Sequence, residues 1–197
     1  MTGKRTYLTP NGGPRRRSAH FVEPLPIAAS TWAAIAAALG RELTTTEREW
    51  LKGAIELHAS LLRHAREEGA SSADVKETLA GIAALEPEHA LRAYLSADSS
   101  SRALICYELH RAGLESPATD ATGAQIAIAA TAALQRGVPA RNGRPTPTAL
   151  FDRMILAWWG RLGGRRRRTA FAVTVLRAVG AMDCTKAAVA KRLRAVS

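Results

Sequence analysis

Acidic residues are almost absent from the last third of this chain. Only Asp152 and Asp183 follow residue 136, against thirteen basic residues in the same segment. Residues 1–27, 28–136 and 137–197 therefore carry net charges of +4, −4 and +11. An arginine-biased genome would explain why arginine outnumbers lysine 23 to 5, but not why carboxylates are missing. Because clustered like charges repel unless a partner neutralises them, the pattern favours a polyanion-binding surface over a merely solvated one.

Cysteine and long apolar segments are also scarce. Cys106 and Cys184 have no CxxC spacing, so they form no disulfide framework and suit a reducing cytoplasm. The longest Ala/Ile run, residues 124–134, is interrupted by Gln125 and Thr131 and is too short to span a bilayer. No apolar segment follows the basic residues near the start, so we expect no secretory signal. The sequence predicts a soluble, cytoplasmic protein.

Sustained alternation of apolar and polar residues, which is typical of half-buried strands, is absent. Helical spacing dominates instead, and we predict an all-α fold, an irregular bundle of about seven to eight helices. The clearest helix start is Thr44, which fits a capping box with Glu47. Residues 121–136 are apolar on nearly every side and predict a central, enclosed helix. Residues 169–179 would suit a strand, but no hairpin partner is near, so a helix is favoured.

Composition divides the chain into three parts. Residues 1–27 contain four prolines, a Gly-Gly pair and few apolar groups, so we predict a flexible, disordered basic arm. Residues 28–136 form an acidic-to-neutral helical body. Residues 137–197 form a basic helical region that packs on this body. Gly160, Gly163 and Gly164 follow a helical segment of that region and predict its C-terminal cap and a hinge.

No catalytic or metal-binding constellation is visible in the sequence. Two Glu-Leu-His tripeptides, at residues 56–58 and 108–110, place carboxylate and imidazole about 200° apart on a helix, so they cannot chelate one ion. Glu86 and His89 are three residues apart but span Pro87, and no second such pair accompanies them. There is no nucleophile elbow and no phosphate-cradling glycine loop. We therefore predict no enzyme activity, no metal and no cofactor.

The arginine runs at residues 15–17 and 165–168 are suited to binding phosphate groups, because a guanidinium offers a fork of hydrogen-bond donors. Trp159 is a candidate for stacking on a base, whereas Trp158 is central to an apolar stripe and predicts core packing. A helix-turn-helix over residues 171–195 is disfavoured, since Lys186 and Leu176 stand where an aliphatic and a small residue are usual. The predicted nucleic-acid-binding residues are Arg15, Arg16, Arg17, Arg161, Arg165, Arg166, Arg167, Arg168, Lys191, Arg192 and Arg194.

We expect a non-enzymatic accessory protein that binds nucleic acid or a nucleoprotein through phosphate contacts. Its binding should tolerate many sequences, because positioning contacts outnumber any visible base reader. The alternative is a protein-binding module or inhibitor, carried by a phage or plasmid, that docks on an acidic protein surface. The sequence leaves open the choice between DNA and RNA and the oligomeric state.

A Gly-x-Pro turn leads into a helix, a glycine-containing break and a second helix with Phe and Val. The residues concerned are Gly143, Arg144, Pro145, Phe151, the block 155–159, Gly163, Phe171, Val175 and Leu176. This arrangement resembles a recurring one in short helical proteins of alphaproteobacterial genomes, and residues 50–62 are similar to the N-terminal part of those proteins. Their genes often lie near integrases. The resemblance implies a bacterial, mobile-element origin and gives no support for a catalytic activity, since those proteins are functionally uncharacterised.

Overall fold

The computed structural model describes residues 24–114, 121–141, 144–145, 147–181 and 184–196. Its helices and strands are, in chain order, α1 Ala29–Leu39, α2 Thr45–Glu68, α3 Ser72–Ala83, α4 Pro87–Ser96, α5 Ser99–Arg111, α6 Gly123–Arg136, β1 Ala140–Arg141, β2 Arg144–Pro145, α7 Pro147–Arg161, α8 Arg168–Ala178 and α9 Lys186–Val196.

The all-α class is confirmed, with one antiparallel pair of two-residue strands, β1 and β2, as a small addition. The predicted seven to eight helices fall slightly short of the nine found among the described residues. The segment 169–179, for which a strand was the weaker option, lies mostly within helix α8. None of these helices is both long and apolar enough to cross a membrane.

The helix starts follow local side-chain chemistry. The amide of Glu47 donates to Thr44 Oγ1 at 3.2 Å, and the amide of Thr44 donates to Glu47 Oε2 at 2.9 Å. This reciprocal pair is the predicted capping box. Two further capping boxes begin α3 and α6, at Ser71 and Thr122. The short polar segments between these helices thus fix where each helix begins.

Residues 1–23 of the predicted basic arm lie outside the described residues. They include Arg15, Arg16 and Arg17. Residues 24–27 differ from the predicted disorder. The amide of Leu25 donates to Glu56 Oε1 at 2.8 Å, and Leu25 and Ile27 pack against the core. Two apolar side chains and one partly buried hydrogen bond dock this short stretch on the core.

The apolar side chains form two clusters that share two helices. The first cluster combines α1, the first half of α2, α7, α8 and α9. The second combines the end of α2 with α3, α4, α5 and α6. Helix α2 supplies Leu51 to the first cluster and Leu61 to the second, and α7 likewise supplies Trp158 and Leu150. The predicted boundary at residue 136 therefore marks a change of charge, while the cores divide the chain differently.

Helix α6 is less enclosed than predicted. One face, with Ile126, Ala129, Ala130 and Ala133, is buried, but Ile128 on the other face is 69% exposed. Alanine occupies both faces of the helix, and its small apolar side chain is tolerated in solvent as well as in a core. The many alanines hide the solvent side of α6, which is marked only by Thr131 and Gln135, three and seven residues after Ile128 and likewise exposed.

Helices α4 and α6 approach closely where each begins. Gly123 is the first residue of α6 and is buried, and a Cβ at this position would collide with the backbone carbonyl of Pro87. Because backbone atoms cannot rotate away as a side chain can, only glycine fits here without a shift of one helix.

Replacing Gly123 should therefore destabilise the protein. We expect Gly123→Ala to lower the free energy of unfolding by about 1–3 kcal/mol through overpacking. Gly53→Ala is the matched control: Gly53 lies within α2, a Cβ there would meet nothing within 4 Å, and alanine should add up to about 1 kcal/mol of helix stability. Urea denaturation measures both changes. Equal effects of the two substitutions would contradict the close approach.

Helices α2, α5 and α7 meet at a buried ring joint made of His58, His110 and Trp158. The centroid of His58 lies 5.4 Å from that of Trp158 and 6.0 Å from that of His110. His58 Nε2 and Trp158 Nε1 are buried without a hydrogen-bond partner among the described residues. Burial lowers the pKa of His58, helped by His110, and burial together with Arg161 lowers the pKa of His110 to about 4. Both imidazoles are therefore neutral in the folded protein near pH 7.

The two buried histidines should make stability fall as the pH is lowered from 7 to 5. The unfolded chain binds protons near pH 6.5, whereas the folded chain does not, so unfolding becomes easier by up to about 1.4 kcal/mol per pH unit for each histidine. The contribution of the two neutral imidazoles to the free energy of unfolding is complete above about pH 6.5. It declines as the pH falls toward the pKa values of the folded state. Urea midpoints at pH 7, 6 and 5 measure the slope.

Two variants identify the titrating groups. The double variant His58→Leu/His110→Leu should flatten the slope between pH 7 and 5, because it removes both imidazoles. His89→Gln should leave the slope unchanged, since the His89 side chain is 64% exposed. A double variant as pH-dependent as the wild type would show that other groups control the effect.

Candidate nucleic-acid interface

Four consecutive arginines lie at the surface where α7 joins α8, three in the connection and Arg168 as the first residue of α8. Helix α7 closes with the amide of Gly163 donating to Gly160 O at 3.1 Å and the amide of Gly164 donating to Trp159 O at 2.9 Å. Gly163 has a φ of 71°, in the left-handed region that favours glycine. Gly163 and Gly164 thus form the predicted cap, whereas Gly160 lies within α7 instead of after it, and the hinge stays a prediction. The chain then turns outward, and Arg165, Arg166, Arg167 and Arg168, hereafter the arginine cluster, are all exposed.

Trp159 anchors this connection to the core. Its ring is only 8% exposed and lies 5.4 Å from the ring of Phe171 in α8. Gly164 packs so tightly on the indole that a Cβ there would collide with it. The prediction that Trp159 stacks on a base is corrected accordingly, because its ring faces are covered by the protein. Trp158 is fully buried, as predicted.

The arginine cluster lies beside the C-terminal end of α1. Arg165, Arg166 and Arg167 line a surface groove of about 460 Å³ together with residues 37–40. The C-terminal end of a helix carries partial negative charge, which is favourable for nearby guanidinium groups. No carboxylate among the described residues forms an ion pair with the cluster. Its positive charge is therefore exposed to a partner in solution.

Two carboxylates near the start of α2, those of Glu42 and Glu47, are paired with other arginines. Arg41 donates to Glu47 at 2.9 and 2.6 Å and to the carbonyl of Leu162 at 3.0 Å, which ties the start of α2 to the end of α7. Hydrogen bonds from Arg41 and from the Thr44 backbone lower the pKa of Glu47 to about 2. Arg48 pairs with Glu42 at 3.0 Å. These acidic groups are thus locally compensated beside the arginine cluster.

Arg161, the last residue of α7, also has contacts within the protein. Its guanidinium carbon lies 4.7 Å from the ring centroid of Trp50, and its Nη1 lies 3.4 Å from the carbonyl oxygens of Gly113 and Leu114. Arg161 therefore joins the end of α7 to α2 and to the segment after α5. It lies next to the arginine cluster along the chain, as predicted.

Arg192 is a structural residue of α9. It donates to the buried carboxylate of Asp152 in α7 through Nε at 2.9 Å and Nη2 at 2.6 Å. This two-pronged ion pair holds α9 on α7, so we leave Arg192 out of the interface. Lys191 and Arg194 are exposed on the same helix, where Val189 and Leu193 face the core.

The basic residues of the last third are divided between two places along α7. Asp152, and with it α9, lies nine residues before Arg161, which corresponds to about 13 Å of helix. Arg161 and the arginine cluster lie at the C-terminal end of α7, whereas Lys191 and Arg194 belong to the helix held near its start. The structure thus brings together only part of the predicted set.

A basic cluster that the sequence did not indicate lies between α5, α6 and α7. It consists of Tyr107, Glu108, Arg111, Arg136 and Arg153, hereafter the Tyr107 cluster. The i,i+3 spacing of Glu108 and Arg111 is a local signal for one of its ion pairs. The contact of Glu108 with Arg136 joins two helices that are distant in sequence, and no local pattern could predict it.

Within the described residues, no three His, Cys, Asp or Glu side chains lie close enough together to hold a metal ion. Compared with protein-family models, with curated proteins and with solved structures, the chain gives no match in any of the three.

Arg192 and Lys191 offer a test that separates structural from exposed basic residues. Arg192→Ala should cost about 3 kcal/mol or more, because it leaves the carboxylate of Asp152 buried without a counterion. Lys191→Ala should change stability by no more than about 0.5 kcal/mol, since the side chain is exposed. Urea denaturation of both variants measures the difference. If Arg192→Ala unfolds at the same midpoint as Lys191→Ala, the ion pair has no structural role.

Proposed function

We propose that this protein is a non-enzymatic accessory protein that binds nucleic acid, or a nucleoprotein, through phosphate contacts of the arginine cluster. The observation that carries the proposal is a run of four exposed guanidinium groups with no ion-pair partner among the described carboxylates. A guanidinium binds phosphate through parallel hydrogen bonds and keeps its charge at any cellular pH. Trp159 and Gly164 hold the base of the connection against the core, so the charges project from a fixed position.

Binding of this kind is mainly electrostatic and tolerant of sequence. Each phosphate that is neutralised releases counterions, so the affinity falls steeply with salt concentration. Lys191 and Arg194 on α9, together with Arg15, Arg16 and Arg17 of the N-terminal arm, are proposed as additional contacts. A cytoplasmic location and a mobile-element origin accord with this role, and both belong to the same proposal.

An acidic protein surface is the competing partner. The groove beside α1 favours this alternative, because its lining combines the apolar residues 37–39 with Arg165, Arg166 and Arg167. An inhibitor or protein-binding module would use such a groove for an acidic segment of its target. A complex of this kind would show a defined stoichiometry and would lose less affinity with salt than a phosphate-based one.

A salt titration of a matched pair of variants tests the proposed function. Arg165→Ser/Arg166→Ser/Arg168→Ser removes three charges from the arginine cluster and leaves Arg167, which adopts a left-handed φ of 61°. Binding to a 16-base-pair DNA duplex should weaken at least tenfold at 100 mM salt. The slope of log affinity against log salt should become shallower by up to about 2.7, at 0.9 for each lost phosphate contact.

The control is Lys52→Ser/Lys76→Ser/Arg92→Ser, which removes three exposed charges from α2, α3 and α4. This variant should bind the duplex with nearly the wild-type affinity and salt slope. Equal losses in the two variants would mean that only net charge matters. Absence of wild-type binding to DNA and RNA at 50 mM salt would refute the proposed function.

A further inference from the structure

The Tyr107 cluster has an excess of positive charge on a rigid support. Arg136 of α6 donates to both carboxylate oxygens of Glu108, through Nε at 2.5 Å and Nη2 at 3.3 Å. Glu108 is only 6% exposed and is the buried anchor of the cluster. The guanidinium carbons of Arg111 and Arg136 lie 5.9 and 5.7 Å from the ring centroid of Tyr107. Glu108 thus pairs with two guanidinium groups, and a third, that of Arg153, interacts electrostatically with Tyr107.

Arg111 and Arg153 keep most of their hydrogen-bonding capacity. Arg111 makes one long contact with Glu108, at 3.5 Å, and its side chain is 45% exposed. Arg153 is half-buried, and its one hydrogen bond within the described residues is to the carbonyl of Gly137, which follows α6, at 3.3 Å. Since a guanidinium has five N–H donors, each side chain retains donors that can reach an anion in solution.

The Tyr107 cluster and the arginine cluster are linked by α7, which contributes Arg153 to the first and leads into the second. Arg153 and Arg161 are eight residues apart on α7, which corresponds to about 12 Å. Both reach the ends of neighbouring helices, Arg153 at the end of α6 and Arg161 at the end of α5. The arginine cluster follows a few residues later. Successive phosphates of one DNA strand are spaced about 3.4 Å apart along the axis of the double helix. A distance of about 12 Å on the protein therefore corresponds to three to four phosphates.

We propose that the Tyr107 cluster is a second phosphate-contact point of the same interface, so that a nucleic-acid backbone lies along α7 from Arg153 to the arginine cluster. This inference rests on the proposed function and extends it, because it adds Arg111 and Arg153 to the interface. A strand that bridges both clusters must contain more phosphates than the arginine cluster alone can contact.

The test compares two double variants with the same ligand, a 16-base-pair DNA duplex. Arg111→Gln/Arg153→Gln removes both charges and should weaken binding about tenfold at 100 mM salt, with a salt slope shallower by about 1.8 at 0.9 for each lost contact. Arg111→Lys/Arg153→Lys keeps both charges and should retain the wild-type salt slope. A purely structural role in joining the helices would affect the two variants alike, because lysine cannot reproduce the guanidinium geometry.

The outcomes separate this inference from the function on which it rests. A wild type that binds no nucleic acid refutes both. A wild type that binds, and that loses affinity only when the arginine cluster is changed, leaves the proposed function intact and overturns the second contact point. Equal salt slopes for the glutamine and lysine variants would also overturn it. A shallower slope confined to the glutamine variant, with an unfolding midpoint close to that of the lysine variant, supports it.

Discussion

The packing of α7 against α2 and α5 at the ring joint is the constraint on which the molecule depends. Trp158 is completely buried against His58, and His58 in turn lies against His110. Because α7 also enters both apolar clusters, a change at this joint would be felt by both cores. The connection that carries the arginine cluster begins four residues after Trp158. Its position on the surface is therefore set by aromatic packing within the protein.

The fold divides the basic residues into two kinds. Arg41, Arg136 and Arg192 are each held by a carboxylate with at least two hydrogen bonds, and each joins helices or segments that are distant along the chain. The arginine cluster has no such partner among the described residues. A high positive charge thus serves two physical purposes here, and only the exposed kind is available to an external anion.

Local patterns predicted the helices well because capping and turn chemistry act over a few residues. The box of Thr44 and Glu47 and the cap at Gly163 needed no knowledge of the tertiary structure. The candidate site was harder, because its residues are sorted by contacts between distant segments. Asp152 was visible in the sequence as one of two remaining acids, but nothing local paired it with Arg192. The burial of Trp159 likewise depends on Phe171 in the next helix.

The same reasoning explains why charge was a poor guide to the boundary between the two parts of the chain. Charge asymmetry concerns the surface, whereas the division of a fold follows its buried side chains. Helix α1 belongs by charge to the body, yet it packs on α8 and brings its C-terminal end beside the arginine cluster. Arg111 and Arg136, also from the body, join Arg153 of the basic region around Tyr107. The interface proposed along α7 therefore draws on both parts, and the net charge of either segment alone describes it incompletely.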